Sequence, residues 1–202
     1  MIEAADQPYL MSFGTGGLFI NESIAIAKLH SAGENWDATA AIAMERGAFP
    51  VRKLSSARRS IREIVNRLKR LSDTELDLLK DGQRSEQSAL LWLAACRAYR
   101  FIREFAVEVV CEKHLSLQSQ LTYDDFDSFF YRKAEWSDKL NNLSASTQAK
   151  LRAVLFRIMR EADIISKDDR ILGAMLSTRF VDLISRHDAR ELSYFPGGTR
   201  YV

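Results

Sequence analysis

The segment from Arg84 to Lys113 constrains this chain more than any other. It reads as nearly continuous helix, yet its apolar residues do not keep to one face. Leu90, Leu91, Trp92, Leu93, Tyr99, Phe101, Ile102, Phe105 and Val109 cover most of its circumference. Arg97, Arg100, Glu104, Glu108 and Glu112 form the single polar stripe. A helix of this kind has to be covered on most sides, so it belongs at the centre of a bundle. Its longest apolar run, Ala89 to Cys96, falls far short of the roughly 20 residues that span a bilayer, which makes it a core segment. The chain starts Met-Ile-Glu-Ala-Ala-Asp, acidic and without an apolar stretch. A cytosolic protein with no membrane association is therefore expected.

The rest of the chain supplies helices to cover that centre. Ile24, Ile26, Ala27 and His30 fall in a first helical pattern, and a short second helix is expected from Asp37 to Arg46. Pro50, which lacks an N–H, marks the following break. Leu54, Ala57, Ile61, Ile64, Leu68 and Leu71 recur at spacings of three and four, which predicts an amphipathic helix capped by Ser55 or Ser56. Ser72 and Glu75 form a capping-box pattern, as do Thr122 and Asp125. Later helices are expected from Ser144 or Ser146 to Ala162 and from Thr178 to Arg186. The fold class is all-α, a multi-helix bundle. Ile164-Ile165 and Leu192 to Phe195 are candidates for a very small terminal β-ribbon. Asp81-Gly82 suggests a division into residues 1–81, an N-terminal helical subdomain with a basic helix, and 82–202, a C-terminal bundle built on the long central helix.

No catalytic constellation emerges, so a binding protein is expected rather than an enzyme, with no cofactor. His30, His114 and His187 lie on separate segments without metal-ligand spacing and read as surface or helix-end histidines. Cys96 and Cys111, about 22 Å apart along one helix, read as buried reduced thiols. Gly14-Thr15-Gly16-Gly17 could form an anion nest, but no Gly-Lys-Ser/Thr follows, and a flexible start to the first helix is the stronger reading. Asp124, Asp125, Asp127 and Glu135 have a calcium-loop length, but Phe126 and Phe129 occupy the places of a ligand and of the turn glycine. Asp124 and Asp125 instead suit a helix N-terminus.

Charge carries more information. Residues 1–51 hold two basic and six acidic side chains. Residues 52–71 hold eight basic ones (Arg52, Lys53, Arg58, Arg59, Arg62, Arg67, Lys69, Arg70) against the single acid Glu63. Arg58, Arg62 and Lys69 share one line of the helix, and Arg59, Asn66 and Arg70 an adjoining one, facing away from the Leu/Ile stripe. Guanidinium groups presented in this way suit phosphate, to which they can donate two hydrogen bonds. A second basic group, Lys150, Arg152, Arg157 and Arg160, lies on one later helix. A solvated or internally paired basic face is the competing reading.

Several stretches resemble the BrxA family of bacteriophage-exclusion (BREX) loci. They are Ser12 to Phe19, Trp36-Asp37-Ala38, Leu71 to Gly82, Glu86 to Phe105, Leu121 to Phe130, Lys133 to Trp136, Lys150 to Arg157 and Tyr194-Phe195-Pro196. The resemblance implies an all-helical fold similar in part to NusB, an RNA-binding antitermination factor. It also implies double-stranded DNA binding and a place in phage defence beside other BREX components. It supplies no motif of DNA-contacting residues, so the site assignment rests on charge and helix geometry. Two alternatives stand beside DNA binding. One is a protein–protein adaptor using Phe126, Phe129, Phe130, Tyr131 and Trp136, if several are exposed. The other is NusB-like RNA binding, on fold analogy alone.

Overall fold

A computed structural model of the chain describes residues 8–47 and 54–201. The order of elements is α1 (Ile20–Leu29), α2 (Trp36–Glu45), α3 (Leu54–Leu68), α4 (Asp73–Asp81), α5 (Arg84–Ala98), α6 (Arg100–Phe105), a π-helical turn (Ala106–Cys111), α7 (Glu112–Leu115), α8 (Tyr123–Ala134), α9 (Asp138–Asn141), α10 (Ala145–Glu161) and α11 (Thr178–Asp188). Two 3₁₀ turns follow, Ala189–Tyr194 and Gly198–Tyr201. Extended pairing among the described residues is limited to isolated bridges, so the fold is all-helical.

α5 is the buried axis. Every residue from Ser88 to Cys96 is buried, as expected of a helix apolar on most sides. α1, α3 and α4 pack on it from the N-terminal part, and α10 and the first 3₁₀ turn from the C-terminal part. The Trp92 indole N–H donates to the Tyr194 carbonyl at 2.9 Å, which satisfies its polar edge inside the core. Both expected capping boxes are present, at Ser72–Glu75 and Thr122–Asp125, and Ser144 caps α10. At Gly82 the chain turns from α4 into α5, and one continuous core runs across that point, from Phe13 and Ile26 through Leu93 to Phe180.

Three local expectations are corrected. The central helix is interrupted at Tyr99, whose extended backbone (φ −129°, ψ 104°) separates α5 from α6. No glycine or proline marks this break. The Tyr99 phenol is instead drawn into a tertiary hydrogen bond with Glu63. Ile164 and Ile165 do form a tiny ribbon, but with Ile171 and Leu172 across a tight local turn, and Leu192 to Tyr194 are in a 3₁₀ turn. Ser55 and Ser56 lie inside the first turn of α3, and Leu54 is 73% exposed rather than part of the buried stripe. His30 is a helix-end histidine, as expected: it caps the end of α1, where it is buried, stacked on Trp36 with ring centres 3.6 Å apart and hydrogen-bonded to Thr39.

Arg97, legible in sequence only as part of a polar stripe, clamps the two halves of the chain together. Its guanidinium donates to both Glu75 oxygens at 2.7 and 2.8 Å and to Glu191 at 2.8 and 2.6 Å. Burial alone would push the Glu75 carboxyl up, but the bonds from Arg97 and from the Ser72 cap hold it below the ordinary glutamate value. A carboxylate depressed in the folded state stabilises the fold above its ordinary titration range, and that stability is lost as pH falls through the folded value. Chemical denaturation at descending pH is expected to show this loss below the ordinary glutamate pKa of 4.5. In Glu75→Gln the loss over the same window is smaller and the stability at neutral pH is lower.

Candidate nucleic-acid interface

α3 divides its residues as the spacing requires. Ala57, Ile61, Ile64, Val65 and Leu68 are buried against the core, while Arg58, Arg59 and Arg62 point to solvent. Lys69 and Arg70 are also exposed, in the turn after the helix. Among the described residues none of these five side chains has an ion-pair partner. Arg52 and Lys53, expected on the same face, lie outside the described residues.

Arg67 belongs elsewhere. It is 2% exposed, with its guanidinium bonded to Glu63 at 2.8 Å and to the Gly17 carbonyl at 2.8 Å. It is therefore withdrawn from the phosphate-binding set. Glu63, the only acid of the basic stretch, is turned inward by the same contacts and also accepts from the Tyr99 phenol at 2.6 Å. Burial and the neighbouring Glu63 carboxylate push that phenol up to about 12, so it stays protonated as the donor. With Glu63 engaged, no carboxylate among the described residues pairs with the exposed arginines of α3.

The glycine-rich stretch lies between α3 and α10. Gly16 has φ +68°, and a side chain there would strike the Phe19 ring. A Cβ on Gly17 would fall 2.3 Å from the Glu161 carboxylate and 2.9 Å from the Arg157 guanidinium. The Leu18 N–H donates to Glu161 at 2.5 Å, so the anion held at the entrance to α1 is the protein's own carboxylate. Gly14 lies against Leu151 and Lys150. The loop thus touches Arg67 of α3 on one side and Lys150, Arg157 and Glu161 of α10 on the other.

This arrangement brings part of the second basic group to the same region and removes the rest. Lys150 is exposed beside the loop. Arg157 is exposed but paired with Glu161 at 2.7 Å. Arg152 bonds Asp127 and lies over the Tyr123 ring, and Arg160 pairs with Asp169 at 2.7 Å. The last two are structural cations.

Between α3 and the loop lies a cleft of about 350 Å³ lined by Leu10, Ser12, Thr15, Arg59, Arg62, Glu63 and Asn66. The hydroxyls of Ser12 and Thr15 were not legible as site groups, because only the tertiary fold brings them opposite α3. Of the aromatic group, Phe126, Phe129 and Phe130 are core, whereas Tyr131 is 61% and Trp136 89% exposed. Asp125 is bonded by Lys113 at 2.7 Å and Asp127 by Gln148 at 3.1 Å, so these acids serve helix ends and helix contacts. Cys96 and Cys111 are buried free thiols. No helix among the described residues is long and apolar enough to cross a membrane.

Comparison with known proteins is decisive for the family. The family model for BrxA matches residues 7–188. The chain belongs to the BrxA family. A curated relative, the BREX protein BrxA of Bacillus cereus (strain H3081.97), is 29% identical over 120 residues, which are 59% of this chain and 60% of the relative. The match to that BrxA therefore spans about 60% of the relative's length. The fold also resembles a crystal structure of an uncharacterized protein from Magnetospirillum magneticum, with a TM-score of 0.80 and 20% identity over 95% of this chain and all of that one. At that identity the likeness concerns the fold alone.

Proposed function

We propose that this BrxA-family component of the bacteriophage-exclusion system is a non-enzymatic cytosolic subunit that binds double-stranded DNA, chiefly through phosphate contacts. The observation that carries the reading is the outer face of α3 and the turn after it. Arg58, Arg59, Arg62, Lys69 and Arg70 are exposed there, and the only acid of the stretch is committed to the interior. Lys150 extends the charge across the glycine loop. Guanidinium and ammonium groups that, among the described residues, make no ion pair attract the phosphate backbone and release its counterions on binding. No row of amide side chains accompanies them to read base edges, since Asn66 is engaged with Tyr99 at 3.1 Å. Low sequence preference follows.

A salt titration with duplex DNA, single-stranded DNA and RNA in competition tests this. Duplex DNA is expected to bind tightest, with log affinity falling by about 0.9 for each phosphate neutralised per decade of salt. With about five such contacts the slope is roughly −4 to −5. RNA outcompeting duplex DNA, or binding that ignores salt, rejects the proposal. Exposed Tyr131 and Trp136 favour a second reading, in which this end of α8 docks another component of the defence system.

A further inference from the structure

We propose that the cleft between α3 and the loop carrying Ser12 and Thr15 binds a nucleotide phosphate monoester, the group found at the 5′ end of a DNA strand. Arg59 and Arg62 stand one turn apart on α3 and both line the cleft. At that spacing their Cβ atoms are about 5–6 Å apart, close enough for both guanidiniums to reach one phosphate. Glu63 also lines the cleft, four residues from Arg59, and would be its natural partner. It pairs instead with Arg67 at 2.7 Å and accepts from Tyr99, so its charge is balanced from within. Among the described residues the cleft therefore keeps two positive charges without an ion-pair partner. Ser12 and Thr15 line the same cleft; the Ser12 hydroxyl is hydrogen-bonded to Tyr99, which leaves Thr15 as the neutral hydrogen-bonding group there.

Charge and shape both favour a monoester. A phosphodiester within a strand carries one negative charge, whereas a monoester carries about −1.5 to −2 at neutral pH because its second proton dissociates near pH 6. Two guanidiniums match the second species. A volume of about 350 Å³ lies in the range of small-molecule sites. A continuous duplex lies across such an opening, whereas a terminal nucleotide can enter it. Exposed Leu10 on the rim offers an apolar contact for the sugar or base.

The proposal uses DNA binding by α3 only to name the source of the ligand, and the test separates the two. The full chain is titrated with three DNAs of one sequence: a blunt duplex with 5′-phosphates, the same duplex with 5′-hydroxyls, and a closed dumbbell without ends. Deoxyadenosine monophosphate is added as the free-nucleotide probe. The phosphorylated duplex is expected to bind about tenfold tighter than the hydroxyl form, the gain from one charge-assisted contact set. The preference falls a few-fold, without vanishing, when pH is lowered from about 7.5 to about 5.5, because the monoester takes up its second proton and keeps one negative charge. Thr15→Val reduces it, whereas Arg58→Ala weakens all three DNAs alike. Displacement by deoxyadenosine monophosphate supports the site with free nucleotide as its occupant, and displacement by phosphorylated ends alone supports it with DNA ends. Equal affinity for phosphorylated and hydroxyl duplexes, with no binding of the monophosphate, overturns the site. If the dumbbell fails to bind while phosphorylated ends do, the duplex-binding face is wrong and the cleft stands.

Discussion

Replacing Arg58, Arg59 and Arg62 together with alanine is expected to lower affinity for duplex DNA about a hundredfold at 0.1 M salt. Each exposed charge pair with a phosphate contributes about 1 kcal/mol, and three of them sum to two decades. The slope of log affinity against log salt should flatten by about one for each arginine removed. The three side chains are exposed and make no ion pair among the described residues, so the melting temperature should stay close to that of the unmodified chain. Fluorescence anisotropy across a salt series, with circular dichroism as the folding control, measures both quantities. A folded triple variant that binds with unchanged affinity and slope removes α3 from the interface.

The second large effect belongs to the arginine on the same helix that faces inward. Arg67→Ala leaves Glu63 buried without its countercharge and takes the donor away from the Gly17 carbonyl. Removing one partner of a buried ion pair costs about 3–5 kcal/mol. For a chain of this size that lowers the melting temperature by roughly 10 °C. Removing both charges, as in Glu63→Gln with Arg67→Met, should recover much of the loss, because the penalty lies in the orphaned carboxylate. At temperatures where Arg67→Ala remains folded, its salt slope for DNA matches that of the unmodified chain. This outcome separates Arg67 from Arg58, Arg59 and Arg62, which a charge count treats alike. A melt within about 2 °C of the unmodified chain would mean that the Glu63–Arg67 pair is not a buried anchor.

Helix-forming residues and their partners within one element were legible because the interactions that place them are local. The apolar circumference of Leu90 to Cys96 identifies the axis of the bundle, and Ser72 with Glu75 defines a helix start from residues three apart. The stripe of Ala57, Ile61, Ile64 and Leu68 correctly aims Arg58, Arg59 and Arg62 at solvent. What sequence periodicity misses is set at long range. Tyr99 breaks the central helix because its hydroxyl meets a carboxylate 36 residues earlier in the chain. Arg67 follows its neighbours in charge but sits close enough to the stripe to be drawn under the glycine loop. Arg152 and Arg160 look like surface cations until Asp127 and Asp169 arrive from other segments to neutralise them. Ile164 pairs with its near neighbours across a turn because Asp163 and Asp169 adopt left-handed backbone conformations, which hydropathy patterns do not register.

The loop at Gly17 has a mechanical consequence. Its carbonyl is tied to α3 and the following N–H to α10, so the two helices that carry the exposed cations are held at a fixed gauge. A ligand bridging them meets rails already at their working separation. The ordering cost of binding then falls on a few long side chains, at about 2 kcal/mol or less each, and not on the backbone. Slackening the tie would therefore reduce affinity without touching a single positive charge.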